Sequence, residues 1–154
     1  MTIQASEIDF VYPILCFTTD GEIWSIQTPH QRMTCGYKTL SSGLQIGMDL
    51  VDASGRAWRV VSVQKIGYEA FRLRHIFSGL YPRLPVIDQA VESLPSPDFA
   101  SVQERVCQHM DAFPGDFCEF PDDEAELSAR KAEIRSTTSM AELDQALGID
   151  AFYE

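Results

Sequence analysis

The sequence predicts an α+β fold: an N-terminal antiparallel meander of about five strands, forming a twisted sheet or a partly open small barrel, followed by about three C-terminal helices. Short runs up to about residue 86 alternate apolar and polar side chains, as half-buried strands do. After Ser96 the apolar period changes to about 3.6, as in amphipathic helices. We therefore expect a single α+β domain over residues 1–154, with a β-rich part at 1–86 and an acidic helical part at 87–154.

The composition is that of a soluble globular protein. Of the 154 residues, 45% are hydrophobic and 23% are charged, which is sufficient for one core. The N-terminus has neither the basic nor the apolar region of a secretory signal, and no apolar run approaches the roughly 20 residues of a membrane span. We expect a cytoplasmic, reduced protein with mostly buried thiols at Cys16, Cys35, Cys107 and Cys118.

Two strands are predicted on either side of an Asp-Gly turn. Residues 8–17 are rich in β-branched and aromatic side chains, Asp20-Gly21 follows, and residues 22–26 alternate. This pattern indicates a hairpin because glycine adopts positive φ at little cost. Pro13 places the first strand at a sheet edge or interrupts it. Residues 29–43 then predict a long connection.

A second hairpin is predicted from residues 44–51 and 57–66, joined through a turn that contains Gly55. Residues 71–77 alternate again, with Arg72 and Arg74 on the face opposite His75, and they predict a fifth strand. The proline-containing segment 82–97 is expected to close off the sheet.

Three helices are predicted in the second part. The first has Ser96 as its N-cap and ends at Pro114-Gly115. Its apolar stripe consists of Phe99, Val102, Val106, Met110 and Phe113.

The second helix is predicted from Asp122 to about Arg135, with acidic residues in its first turn, where the helix dipole favours negative charge. The third opens with the capping box Ser139-Met140-Ala141-Glu142 and ends at Gly148.

No motif for catalysis, metal binding or phosphate binding is present. Cys107 and His109 would lie about 200° apart around a helix and cannot share one ion. Cys35 and His30 offer the residue types of a thiolate nucleophile and its base, but we interpret them as ordinary residues of the long connection. We expect no enzymatic activity, no metal and no cofactor.

The β-rich part interleaves basic residues with aromatics, a pattern typical of proteins that bind single-stranded nucleic acid. However, the neighbouring acid repels phosphate within a Debye length of about 8 Å. We interpret the basic residues as partners of the acidic helices and expect no nucleic-acid binding. They are Arg56, Arg59, Lys65, Arg72, Arg74 and Arg83.

The charge of the chain is concentrated in its second part. Residues 1–86 hold seven Asp/Glu and eight Lys/Arg, whereas residues 87–154 hold sixteen and four, which gives the net charge of −11. Such a surface either keeps the protein solvated or recognises a basic protein partner. The predicted partner-binding residues are Asp116, Phe117, Glu119, Phe120, Asp122, Asp123, Glu124 and Glu126, and the aromatics Phe152 and Tyr153 also lie among acid.

In its overall plan, small, acidic, α+β and without catalytic motifs, the chain resembles the cognate immunity proteins of bacterial polymorphic and contact-delivered toxins. Residues 139–148 are similar to the short closing helix of several such families. The resemblance implies a non-catalytic inhibitor whose acidic helical surface occludes the basic active site of a toxin. The alternative is a regulatory or adaptor module whose β meander binds a peptide or nucleic acid. The sequence identifies neither the partner nor the oligomeric state.

Overall fold

The architecture is α+β, as predicted, and the computed structural model describes residues 1–77 and 82–149. Phe152 and Tyr153 lie outside the described residues. The strands are β1 (Thr2–Gln4), β2 (Ile14–Phe17), β3 (Ile23–Ile26), β4 (Asp49–Asp52), β5 (Ala57–Tyr68) and β6 (Pro85–Leu94). The helices are α1 (Pro29–Met33), α2 (Tyr37–Ser42), α3 (Phe99–Ala112), α4 (Glu124–Ser136) and α5 (Met140–Leu147).

The six strands of the described ranges form one open antiparallel sheet in the order β1-β6-β5-β4-β2-β3. Both predicted hairpins are present, as the β2–β3 and β4–β5 pairs. Pro13 interrupts the first run, and β2 begins at the next residue, inside the sheet between β4 and β3. The sheet therefore has edge strands and is not a closed barrel.

The expectation that residues 82–97 close off the sheet is wrong, because they contain β6. This strand pairs with β5 at ten positions and with β1 on its other side. Pro85 is its first residue, where a missing N–H is tolerated, and Ile87, Gln89 and Val91 alternate inward as buried residues. The β part thus extends to Leu94, past the predicted boundary at residue 86.

Strand β5 is irregular in its second half. Its register against β6 shifts between Val60 and Ser62 and again between Lys65 and Gly67. From Val61 onwards β6 is its only strand partner among the described residues. This half of β5 consequently has no paired strand on its other edge among the described residues.

The predicted fifth strand at residues 71–77 is also wrong. Leu73–Phe77 forms a 3-10 helix in which Leu73 is 80% exposed while His75 is buried. The His75 Nδ1 accepts the Arg72 backbone N–H at 2.8 Å. This local hydrogen bond occupies the backbone N–H that a β-strand would donate to its neighbouring strand.

The predicted long connection at 29–43 contains the two short helices α1 and α2. The Thr28 side chain caps α1 by accepting the Gln31 N–H, with Pro29 at the first helical position. Gly43 ends α2 at φ +66°. The connection is therefore folded over the sheet rather than irregular.

Each face of the sheet carries its own apolar cluster. On one side, here called the helical face, helices α3, α4 and α5 pack Val106, Met110, Ile134 and Leu143 against strand residues such as Leu15. The opposite side of the sheet is called the cavity face, after the cavity that lies on it. It buries a second set of apolar residues, which the N-terminal segment covers. That set is Ala5, Phe10, Ile14, Cys16, Met48, Leu50, Trp58, Val60 and Val91.

The three C-terminal helices are confirmed, with a corrected cap for the first. Asp98, rather than Ser96, caps α3 by accepting the Ser101 N–H. Asp123 caps α4, one residue after the predicted start. The α5 cap is Ser139, and Gly148 ends it in the left-handed conformation, as predicted. No helix in the described ranges has the length and apolar character that a membrane crossing requires.

The turn between β4 and β5 is organised by the Asp52 carboxylate, which has no exposed surface. It accepts bonds from the backbone N–H groups of Val11, Ser54 and Arg56, from the Ser54 hydroxyl, and from the Arg56 guanidinium at 2.7 and 3.1 Å. Burial raises the pKa of Asp52, but the bonds from Ser54, Val11 and Arg56 outweigh it and leave the pKa below its ordinary value. The charged form is therefore the one that the fold stabilises.

Gly21→Ala is expected to lower the free energy of unfolding by about 1–2 kcal/mol, because Gly21 has φ +91° and a Cβ there would lie 3.1 Å from the Phe113 ring. Gly55→Ala should cost less, since Gly55 shares the positive φ but has open space around it. Gly67→Ala, with neither constraint, is the control and should change stability by less than about 0.5 kcal/mol. Urea unfolding measures all three, and equal costs for Gly21 and Gly67 would contradict the assigned turn.

Asp52→Asn is expected to destabilise the protein by about 2–3 kcal/mol at neutral pH, because it weakens several bonds to one buried charge. Since the folded pKa of Asp52 is lowered, this contribution is present above the unfolded pKa of about 4 and is lost as pH falls through the folded value. The stability difference from wild type should therefore be constant from pH 5 to 8 and shrink below pH 4. Asp9→Asn, at an exposed residue, is the control, and a difference that grows in acid would refute the assignment.

Candidate functional site

The predicted partner-binding residues lie together on the surface of the helical layer. They occupy the 3-10 turn Pro114–Asp116, the loop 117–122 and the first turn of α4. We call the eight of them, Asp116, Phe117, Glu119, Phe120, Asp122, Asp123, Glu124 and Glu126, the acidic surface.

Two of these carboxylates have structural roles. Asp123 caps α4 by accepting the N–H groups of Ala125 and Glu126. The two oxygens of Glu126 accept the backbone N–H groups of Glu119 and Phe120, each at 2.9 Å. Both residues therefore hold the loop in place.

The two phenylalanines of the acidic surface differ in environment. Phe117 packs partly into the helical-face core and meets the His109 ring edge-on, with centroids 5.5 Å apart. Phe120 is 62% exposed. The Glu126 carboxylate thus fixes the backbone of an aromatic residue that faces solvent, while Phe117 anchors the loop from below.

The remaining carboxylates are not neutralised by the protein's own cations. Glu119, Asp122 and Glu124 are exposed and make no ion pair with a described residue. Asp116 lies 3.8 Å from the His109 Nε2. Burial lowers the pKa of His109 more than Asp116 and Glu22 raise it, so this imidazole is a poor counter-charge at neutral pH.

The interpretation that the basic residues of the β part pair with the acidic helices is wrong for the described contacts. Arg56 pairs with Asp52, Arg59 with Asp49, and Arg74 with Glu69, all within the β part. These arginines therefore supply no counter-charge to Glu119, Asp122 and Glu124 of the acidic surface, and the sheet even receives one cation from the helical layer, since Arg105 of α3 also pairs with Asp49.

A second candidate site, which the sequence did not predict, is a cavity of about 720 Å³ on the cavity face. Its walls come from β3, α1, α2, the strand β6 and the segment around residues 69–74. The apolar part includes Trp24, Ile26, Leu44 and Met48. A volume of this size is typical of sites for small molecules.

One wall of the cavity is held by the buried carboxylate of Glu69. It accepts the Leu84 N–H at 3.2 Å, faces His30 at 3.4 Å and lies 3.1 Å from the His75 Nε2. Because the His75 Nδ1 accepts the Arg72 N–H, the Nε2 atom is the ring nitrogen that faces the Glu69 carboxylate as a hydrogen-bond donor. Burial raises the pKa of Glu69, but these bonds and Arg74 together lower it below its ordinary value.

Two buried polar atoms of residues that line the cavity lack a hydrogen-bond partner among the described residues: the Arg32 Nη1 and the Gln89 Oε1. Arg32 is 6% exposed and Gln89 is 1% exposed, and both line the cavity. Unsatisfied polar atoms of this kind cost roughly 1–3 kcal/mol each unless water or a ligand reaches them.

The sequence held one unused signal for this cavity. In the alternating run Ile87-Asp88-Gln89-Ala90-Val91, Gln89 lies on the same buried face of the strand as Ile87 and Val91. A polar residue at such a position requires a hydrogen-bond partner. Arg32 gave no signal because it lies in the segment predicted as a connection. Cys35 and His30, considered as a nucleophile and its base, both line the cavity, where His30 faces Glu69.

No protein-family model matches this chain, and we found no significant similarity to a curated protein or to a solved structure. Within residues 1–77 and 82–149, no group of three or more His, Cys, Asp or Glu side chains is arranged to hold a metal ion. The site must therefore be interpreted from its own geometry.

Glu126→Gln is expected to loosen the loop of the acidic surface, because an amide offers one acceptor where two backbone N–H groups need one each. Hydrogen exchange at the Glu119 and Phe120 amides should accelerate about fivefold to tenfold, corresponding to roughly 1 kcal/mol for one bond. Glu133→Gln, on the same helix and paired only with Arg130 at the surface, is the matched control. Unchanged exchange at both amides would show that Glu126 does not hold the loop.

Proposed function

We propose that this chain is a non-catalytic protein-binding protein that docks its acidic surface onto a basic partner. The observation that carries the proposal is the exposed Phe120, held by Glu126 among carboxylates that have no cation of their own. In protein interfaces an aromatic anchor supplies much of the affinity, while surrounding charge selects the partner and accelerates association.

The fixed conformation of the loop favours docking. Because Glu126 and the Asp123 cap already order residues 119–126, binding does not have to order them, and the entropic cost of association is lower. A merely solvating surface needs neither an ordered loop nor an outward-facing aromatic.

The partner we propose is a bacterial toxin with a basic active-site cleft, such as a nuclease. Carboxylates of the acidic surface would occupy the positions of substrate phosphates and exclude the substrate. The chain would then act as the toxin's immunity protein.

The alternative, a regulatory or adaptor module whose β meander binds a peptide or nucleic acid, has less support. Arg72 and Arg74 do not lie along a strand; they border the cavity. The aligned basic face that the alternative requires is therefore not formed by these two residues.

The test uses the protein encoded beside this chain as the immobilised partner, in surface plasmon resonance over a salt series. Replacing Glu119, Asp122 and Glu124 by their amides should lower the association rate at least tenfold at low salt and flatten its salt dependence. Phe120→Ala should mainly raise the dissociation rate, about 30-fold for a hot spot of about 2 kcal/mol. Asp123 and Glu126 are left intact because they order the loop.

The control replaces three exposed carboxylates of other surfaces, Glu7, Asp9 and Glu92, by their amides, which changes net charge equally. It should retain the wild-type association rate within about twofold. If both triple variants lower the association rate alike, the net charge of the protein, rather than the acidic surface, controls association. If the neighbouring protein does not bind at all, the immunity hypothesis is overturned.

A further inference from the structure

We propose that the cavity is a binding site for a small organic anion that has an apolar body and a hydrogen-bond donor. This site lies on the cavity face, whereas the acidic surface belongs to the helical layer, so the inference does not depend on the proposed docking function.

Arg32 defines the anionic end of the ligand. Its Nε donates to the Tyr12 hydroxyl at 3.3 Å and its guanidinium carbon lies 5.2 Å from the centre of the Phe10 ring. These contacts fix the guanidinium and leave Nη1 as a buried donor without a described partner. A fixed guanidinium suits a carboxylate, sulfonate or phosphate oxygen.

The net charge of the cavity lining is positive, like the charge of Arg32. Four Lys/Arg, namely Arg32, Lys38, Arg72 and Arg74, face two carboxylates, Glu22 and Glu69. Glu69 is engaged by His30, His75 and Arg74, and Glu22 accepts the Trp24 indole N–H at 2.8 Å. The field in the cavity therefore favours an anion.

Gln89 defines the donor on the ligand. Its amide nitrogen donates to the Gln45 Oε1 at 2.9 Å, and this bond fixes the orientation of the amide group. The Gln89 Oε1 is then an acceptor without a described partner, which a ligand N–H or O–H would satisfy.

The rest of the cavity suits an apolar body. Trp24 and Ile26 belong to the margin of the cavity-face cluster and Met48 to its buried part, and all three line the cavity. A volume of about 720 Å³ exceeds what a bare inorganic anion fills, and a small-molecule site usually combines apolar side chains with fixed polar groups.

The probe is 8-anilinonaphthalene-1-sulfonate, which combines a sulfonate, an N–H and two aromatic ring systems. We expect binding to the folded protein at one probe per chain, measured by calorimetry and by fluorescence of the directly excited probe. N-phenyl-1-naphthylamine, the same molecule without the sulfonate, measures the apolar contribution alone.

Arg32→Met should weaken the anionic probe at least tenfold and leave the neutral probe within about twofold. Arg135→Met, which removes an equally charged exposed side chain of α4, is the matched control and should bind both probes as wild type does. Gln89→Leu should weaken both probes, because both carry the N–H.

Leu44→Trp provides a second test that does not remove a buried charge, in case Arg32→Met fails to fold. Leu44 is a half-buried residue of the cavity lining, and the larger side chain should block both probes. The proposal is overturned if the folded wild-type protein does not bind the anionic probe, if Arg135→Met weakens it as much as Arg32→Met, or if Leu44→Trp leaves binding unchanged. Any of these results would mean that the anionic probe does not bind in this cavity through Arg32.

Discussion

The buried carboxylate of Asp52 is the interaction on which the rest of the structure depends most directly. It receives its bonds from two separate parts of the chain: its own turn, through Ser54 and Arg56, and Val11 in the N-terminal segment. The Ala53 N–H adds a 2.8 Å bond to the Val11 carbonyl. One charge thus holds the turn and the N-terminal segment to the sheet together.

That anchoring reaches the cavity. Val11 is flanked by Phe10 and Tyr12, and both neighbours contact Arg32. The Asp52 carboxylate therefore helps to position the Arg32 guanidinium, because it holds the N-terminal segment whose Phe10 and Tyr12 contact Arg32. Hydrogen bonds to a buried charge are stronger than neutral ones, so this connection helps to hold the Arg32 wall of the cavity in place.

The sheet also separates the two kinds of charge in the molecule. Acid without counter-charge lies on the helical layer, while the cavity on the opposite side has an excess of arginine and lysine. The net charge of −11 gives no indication of the basic cavity, because its arginines and lysine come from the nearly neutral part of the chain. Proximity in space, rather than composition, produces the basic cavity.

Periodicity and turn chemistry predicted the hairpins and the three C-terminal helices because those signals are local. The Gly21 and Gly148 conformations, the Ser139 cap and the α4 start each depend on a few neighbouring residues. Strand β6 was missed because its flanking prolines suggested an end to the sheet, although they only bound the strand. Apart from the buried position of Gln89, the sequence contained no signal for the cavity, since Arg32, Gln89 and Glu69 come from three segments that only the tertiary fold brings together.

The irregular half of β5 bears on how the molecule behaves at high concentration. An edge that is long and evenly spaced would offer a ready template for a strand of another molecule. Two register shifts and the lysine between them disturb that spacing. This half of β5 is therefore a poor template for a strand of a second molecule, although no strand of its own chain pairs with that edge in the described ranges.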